Sequence, residues 1–299
     1  MFGSEKKKDR TTLKQDLGKK AQFSGVIPVN LMFREKGTLP SMDDIGAKIK
    51  ERFGDFDVVS DNLEMRMWAL KEYTATVKNK KGEDAQMPAQ LMMCGFNPVK
   101  NDTADGLARS QFWDVEDGNE LLDSCKWQVT VSDFLAAMIP DPKVRAGILI
   151  DWVELTLELF PECVCIYFVT SGKLLTPDKL RNNPLKGASR FLYGGVNARF
   201  FNIEGEDEKV VDTLGMYALE LPDVQYHFQG LDPDDVVNHA FNTVIYQFEN
   251  DIPIESGNTL GGFEPDEKWK CQYENSLIQP VRVVLDVAAG ENEAGNRGN

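Results

Sequence analysis

The chain has 299 residues and 33.6 kDa, room for one large or two ordinary domains, and its 42% hydrophobic and 27% charged content marks a globular rather than a disordered chain. A chain of this length buries about three quarters of its unfolded surface, which removes the need for disulfide or metal staples. The net charge of −15 is uneven: residues 1–20 carry seven Lys/Arg against three Asp/Glu, +4, so the remainder carries −19, a body that repels a duplex phosphate backbone and suits a cationic partner.

Residues 1–22 read as a basic, solvated tail, in which Met1 and Phe2 beside Lys6, Lys7 and Lys8 are the one feature offering contact with an anionic membrane surface. The start MFGSEKKKDR lacks an apolar h-region, no run approaches about 18 apolar residues, and a cytoplasmic protein is expected. Order begins near Gly25, with Val26, Ile27, Val29, Leu31 and Phe33 forming a strand. Ser41 followed by Asp44 caps a helix whose apolar residues Ile45, Ile49 and Phe53 recur every four positions, and Gly54 stops it. Alternation at Met65–Ala69 and Tyr73–Val77, a turn at 79–82 and a return over 86–94 predict a meander.

Residues 97–118 are polar and predict a linker or surface insertion. Trp127, Val129 and Val131 mark a strand. Pro140 and Pro142 precede a long helix, apolar on more than one side, with Val144, Ile148, Trp152, Leu155 and Leu159 on one face. Cys163 to Val169 predicts a buried strand, and the strand–helix–strand order allows one parallel crossover. Five cysteines without a C-x-x-C pair predict reduced core thiols.

In the last third, 196–203 reads as a strand, 210–219 as a strand or a short helix, and 224–228 as a strand. Asp232-Pro233-Asp234-Asp235 opens a helix: Asp232 caps, Pro233 takes the first turn, and the next two carboxylates complement the dipole. Val237, Ala240, Phe241, Val244, Ile245 and Phe248 are its expected buried face. Strands follow at 269–273 and 281–287, and 288–299 reads as frayed.

VNARFFNI (196–203), VDTLGMYALELPDVQYHF (211–228), LDPDDVVNHAFN (231–242) and WKCQYENSLIQPVR (269–282) resemble the bacterial domain-of-unknown-function family 4261, with CKWQVTVSDF (125–134) and VTSGKLLTP (169–177) as companion segments. That resemblance implies no activity. The D-T-L-G…L-P-D-V run also resembles the T-x-G-L…P-E-L phrase of small α+β domains in bacterial immunity and regulatory proteins. The expected fold is α+β: mixed, mainly antiparallel sheets with packed helices, in two closely associated subdomains, 23–118 and 119–287.

The chain has two histidines, His227 and His239. Asp235, His239, Asn242 and Tyr246 fall on one stripe of their helix, and Asp235 one turn before His239 predicts a raised imidazole pKa. With Asp223 beside it, the stripe predicts a binding face. If His227 approaches, Asp223, His227, Asp235 and His239 become candidate metal ligands or an acid–base set. Thr170-Ser171-Gly172-Lys173 lacks the phosphate-loop pattern and predicts a turn with an exposed lysine. Gly194-Gly195 is an equally weak phosphate signal, and Ser132-Asp133 stands without a nucleophile elbow. Cys271 is expected on a core face, Gly257, Gly261 and Gly262 in a mobile connector, and Met65, Met67, Met87, Met92 and Met93 in the core. The leading expectation is a non-catalytic bacterial binding, immunity or regulatory module that meets another protein through an acidic face, with no cofactor. The alternative is a hydrolytic enzyme built on His227, His239 and Asp235, with or without a metal.

Overall fold

The computed structural model describes residues 25–78, 81–205 and 207–295. The expected tail over 1–22, two residues of the turn at 79–82, and residues 296–299 lie outside them. The protein is α+β, with two mainly antiparallel sheets. By their described residues its two compact units are 25–197 with 214–221, and 198–213 with 222–295.

The first unit runs β1 (Val29–Phe33), α1 (Met42–Phe53), β2 (Phe56–Asp61), β3 (Met65–Lys78), β4 (Asp84–Cys94), and the two-residue β5 (Asn97–Pro98). Then come α2 (Gly106–Arg109), α3 (Gly118–Ser124), β6 (Trp127–Phe134), α4 (Pro142–Leu159), β7 (Cys165–Phe168), β8 (Lys173–Leu175), α5 (Pro177–Arg181) and α6 (Arg190–Gly195). The sheet order is β2-β3-β4-β6-β1-β7-β8, with β5 on β6. Because β1 is antiparallel to both β6 and β7, those two strands run parallel on either side of it. The crossover through α4 therefore skips one strand. The expected boundary at 118 is corrected, since β6 lies between β4 and β1 in one sheet.

Local chemistry explains the helices. Ser41 Oγ accepts from the Asp44 N–H at 3.1 Å, and Gly54 ends α1 at φ 80°. Asp141 Oδ1 accepts from the Lys143 N–H at 2.8 Å and Pro142 takes the first turn of α4. Ile148, Leu149, Trp152, Val153 and Leu157 are all buried, as a helix apolar on several sides requires. Val144, expected on that face, is exposed. Trp152 packs edge-on against Trp68 of β3, centroids 5.6 Å apart, and its indole N–H donates to the Met92 carbonyl at 3.1 Å. Such rings contribute by burial and by edge-to-face geometry together. At the start of α4 the buried Arg145 donates to Asp133 Oδ2 at 2.6 Å and to the Ala218 carbonyl at 2.8 Å. Asp133 Oδ1 accepts from the Ile27 N–H at 2.8 Å, so Ser132-Asp133 serves the fold.

Residues 97–118 are not a linker. Ala104, Phe112, Val115 and Leu122 are buried with Met32, Cys125, Cys165, Tyr167 and Leu174. Three apolar residues at irregular spacing in that stretch carry no periodic signal, although they cover one face of the sheet. The methionines part company: Met67 and Met93 are buried, Met65 and Met87 exposed.

The second unit holds β9 (Asn197–Asn202), β10 (Lys209–Leu214), β11 (Asp223–Phe228), α7 (Pro233–Glu249), β12 (Thr259–Gly261), β13 (Lys268–Asn275) and β14 (Val283–Ala288). The sheet order is β12-β13-β14-β11-β10-β9, with β11 and β14 parallel. The ambiguous segment 210–219 is both things: β10, then a 3-10 turn over Met216–Leu219. The expected frayed end is corrected up to Gly295. Ala289 and Ala294 are buried, and the Ala294 N–H donates to the His227 carbonyl at 3.0 Å.

Candidate functional site

The expected site lies on α7 and the strands beneath it. Asp232 Oδ1 accepts from the Asp234 N–H at 2.9 Å, with Pro233 in the first turn. The buried face is Val236, Ala240, Thr243, Val244, Gln247 and Phe248. Val237, Phe241 and Ile245 are half-buried instead, so the helix is rotated from the expected setting. Polar partners account for the rotation. Gln247 accepts from the Ile254 N–H at 3.1 Å and donates to the Tyr273 hydroxyl at 3.3 Å, while Thr243 Oγ1 donates to the His239 carbonyl at 2.8 Å.

His239 is the centre of an aromatic cluster. Its ring lies 4.9 Å from Trp269, 5.6 Å from Tyr226 and 5.7 Å from Phe263. Nε2 sits 3.0 Å from the Gly261 carbonyl, which can only accept, so Nε2 carries the proton. Nδ1 then accepts from the Tyr226 hydroxyl at 2.7 Å. Burial pushes the Tyr226 phenol up, so it remains a donor. Burial also holds His239 below the ordinary imidazole value, against a smaller opposing pull from the Gly261 carbonyl. The expected raised pKa from Asp235 is corrected: both ring nitrogens are engaged elsewhere, and Asp235 is exposed.

The remaining expected residues separate. Tyr226 and His227 are neighbours on β11 and project to opposite faces of its sheet. His239 bonds to Tyr226, whereas His227 Nε2 lies 2.9 Å from Glu208 Oε2. The two imidazoles do not converge. Asp223 is fully buried, accepting from Arg282 Nε at 2.9 Å, and is corrected from binding candidate to core. Asp235, Asn242 and Tyr246 do share the outer face of α7, Tyr246 being 49% exposed. Phe263, 40% exposed, was missed by the sequence reading and extends this stripe beyond His239. Glu267 Oε2 accepts from its N–H at 3.1 Å, and a Cβ on Gly262 would meet that carboxylate at 2.3 Å. The expected glycine connector is thus partly strand β12 and partly this close approach.

Several weaker signals are spent on structure. Lys173 is corrected from exposed to buried: its ammonium donates to the Val196 carbonyl at 3.2 Å and faces Asp114 at 3.4 Å. Burial pulls its pKa down, which Asp114 opposes. Gly194 lies where a Cβ would meet the Phe168 ring at 2.5 Å, and Cys271 is buried on β13. Among the described residues, no group of three or more His, Cys, Asp or Glu is placed to hold a metal ion, and no helix is long and apolar enough to cross a membrane.

Three charged residues were missed altogether. Arg199 pairs with Asp212 through Nε–Oδ1 at 2.8 Å and Nη2–Oδ2 at 2.6 Å. Arg282 bridges Asp212 Oδ2 at 2.7 Å and Asp223. The signal was present as single charges inside apolar strand patterns, at Arg199, Asp212 and Arg282.

Residues 212–288 match the model of a family described as Domain of unknown function (DUF4261), the C-terminal portion that carried the resemblance. No curated protein matches the chain, and no solved structure does.

Proposed function

We propose that the protein is a non-catalytic bacterial binding module of immunity or regulatory type, working in the cytoplasm, whose α7 face receives a cationic segment of another protein. One observation carries this reading. Between Lys209 and Lys268 the chain holds twelve Asp/Glu and no Lys or Arg. Within that stretch, α7 exposes Asp234, Asp235 and Tyr246, and the β12–β13 hairpin exposes Phe263. Exposed aromatics supply anchoring area, and a field of one sign steers and selects a partner of the other.

The hydrolytic alternative needs His227, His239 and Asp235 to meet around one substrate atom. His239 instead spends both nitrogens on Tyr226 and Gly261, and His227 faces the other side of the sheet. A fluorescence-anisotropy screen of Lys/Arg-rich peptides, each with one aromatic or aliphatic anchor, tests the reading. Binding should weaken as salt rises and fall about tenfold or more in Tyr246→Ala and in Phe263→Ala. Equal binding of acidic peptides, or affinity unchanged in both variants, would sink it.

A further inference from the structure

Two thiols of the first unit are used by nothing described so far. Cys125 follows α3 in an extended conformation (φ −84°, ψ 134°), and Cys165 opens β7. Both are buried, in the cluster where residues 97–118 cover the sheet. Their sulfurs are 3.9 Å apart, whereas a disulfide needs about 2.05 Å, so closure asks for a shift of about 2 Å. Cys125 lies where a short helix gives way to extended chain, backbone that yields more readily than a strand centre. Cys163 Sγ is engaged differently, donating to the Cys165 carbonyl at 3.3 Å.

The two sulfurs are chemically unequal. The contact with Cys165 holds the Cys125 thiol below its ordinary value, with Ser124 and the charges of Arg34 and Lys126 acting in the same sense against burial. The contact with Cys125 and burial push Cys165 up. Burial pushes Cys163 up to about 12. Cys125 lies at the end of α3 next to Lys126, whereas Cys165 is wholly enclosed in β7, so Cys125 is the sulfur placed to react first. What sets this pair apart is direct sulfur–sulfur contact with the charges of Arg34 and Lys126 acting on it.

We infer that Cys125 and Cys165 form a reversible oxidation site for small hydroperoxides, closing into a disulfide that clamps residues 97–125 onto β7. The Cys125 thiolate attacks the terminal oxygen of ROOH. The O–O bond breaks, the alkoxide leaves as ROH with a proton from solvent, and Cys125 becomes a sulfenic acid. The Cys165 sulfur then attacks the sulfenic sulfur, the S–O bond breaks, and hydroxide departs as water with the Cys165 proton. Two thiols and ROOH yield one disulfide, ROH and water, so the peroxide is the only oxidant required.

The test treats the folded full-length chain with hydrogen peroxide at neutral pH, alkylates it, and maps it with trypsin. Cys125 falls in peptide 110–126, and Cys163 with Cys165 in peptide 146–173. The expected result is a link between these peptides, a loss of about 2 Da from the intact chain, and reversal by dithiothreitol. The link should persist in Cys163→Ala and vanish in Cys125→Ala and Cys165→Ala, with Cys165→Ala accumulating a dimedone-reactive sulfenic acid at Cys125. Native cleavage after Arg109 should slow about threefold or more on oxidation. The inference is overturned if the folded wild type forms no link, if the link appears only in urea, or if it survives Cys165→Ala through Cys163. An unchanged cleavage rate overturns the clamp.

Discussion

Arg282→Met is the most informative single perturbation of the second unit. The Arg282 side chain is fully buried and serves five acceptors. Nε donates to Asp223 at 2.9 Å and Nη2 to Asp212 at 2.7 Å; Nη1 reaches the Ile278 carbonyl at 3.1 Å and the Pro280 carbonyl at 3.0 Å, and Nη2 also bonds the Thr213 carbonyl. Burial alone would pull the guanidinium down, yet Asp223 and Asp212 override it and hold it above its ordinary value. Methionine roughly preserves the volume and removes the charge. Asp212 retains Arg199, but the buried Asp223 carboxylate loses the guanidinium it faces. Breaking a buried pair from one side costs about 3–5 kcal/mol, against a total domain stability of about 5–15 kcal/mol. Urea unfolding read by hydrogen exchange on peptides from β10, β11 and β14 reports on this unit without averaging over the other. Adding Asp223→Asn should recover part of the loss, a coupling of about 1–3 kcal/mol, because the stranded charge is removed with it. A loss under about 1 kcal/mol in Arg282→Met, or strict additivity in the pair, would refute the view that a paired charge network organises this sheet.

Gly215 sits at φ 149°, and a Cβ there would lie 2.1 Å from the Gly195 carbonyl oxygen; Gly215→Ala should cost about 3 kcal/mol or more, seen as a fall in thermal midpoint of the first unit. Ser41→Ala removes the cap on Asp44 and should cost about 1 kcal/mol, with faster amide exchange confined to the first turn of α1. His239 has a folded pKa depressed by burial, so below about pH 6.5 the unfolded chain takes up the proton first and stability falls as pH falls, whereas above that point the group contributes nothing to the slope. In His239→Gln the unfolding free energy should therefore lose part of its decline between about pH 7 and pH 5; identical slopes in the two proteins would remove that assignment.

Elements whose signals are local were legible. The Ser41 and Asp232 caps, the proline starts of α4 and α7 and the stop at Gly54 all rest on atoms a few residues apart. Strand alternation at Trp127–Val131 and Trp269–Tyr273 likewise depends on period alone. What escaped was set by distant chain. β6 joins the first sheet beside β1 and β4, so a polar stretch at 97–118 looked like a boundary when it was a cover. Val281 looked like a strand residue but is exposed, because the position after it delivers Arg282 to carboxylates 59 and 70 residues away in sequence.

The same distinction governs the site. On a bare helix, Asp235 is one turn from His239 and is its natural partner, which makes the imidazole a cation and invites acid–base or metal chemistry. In the folded chain the ring is claimed by Tyr226, 13 residues back, and by Gly261, 22 residues on. One gives a hydrogen and one takes one, so the ring stays neutral and its protons are fixed. A histidine held this way orients neighbours: it ties the α7 backbone to the hairpin that carries Phe263, and leaves Asp235, Asn242 and Tyr246 facing water. The side chain that looked reactive thus sets the shape of a surface, and the proposal that this surface draws a cationic partner rests on the charge around it, unrelieved by any lysine or arginine for 58 residues.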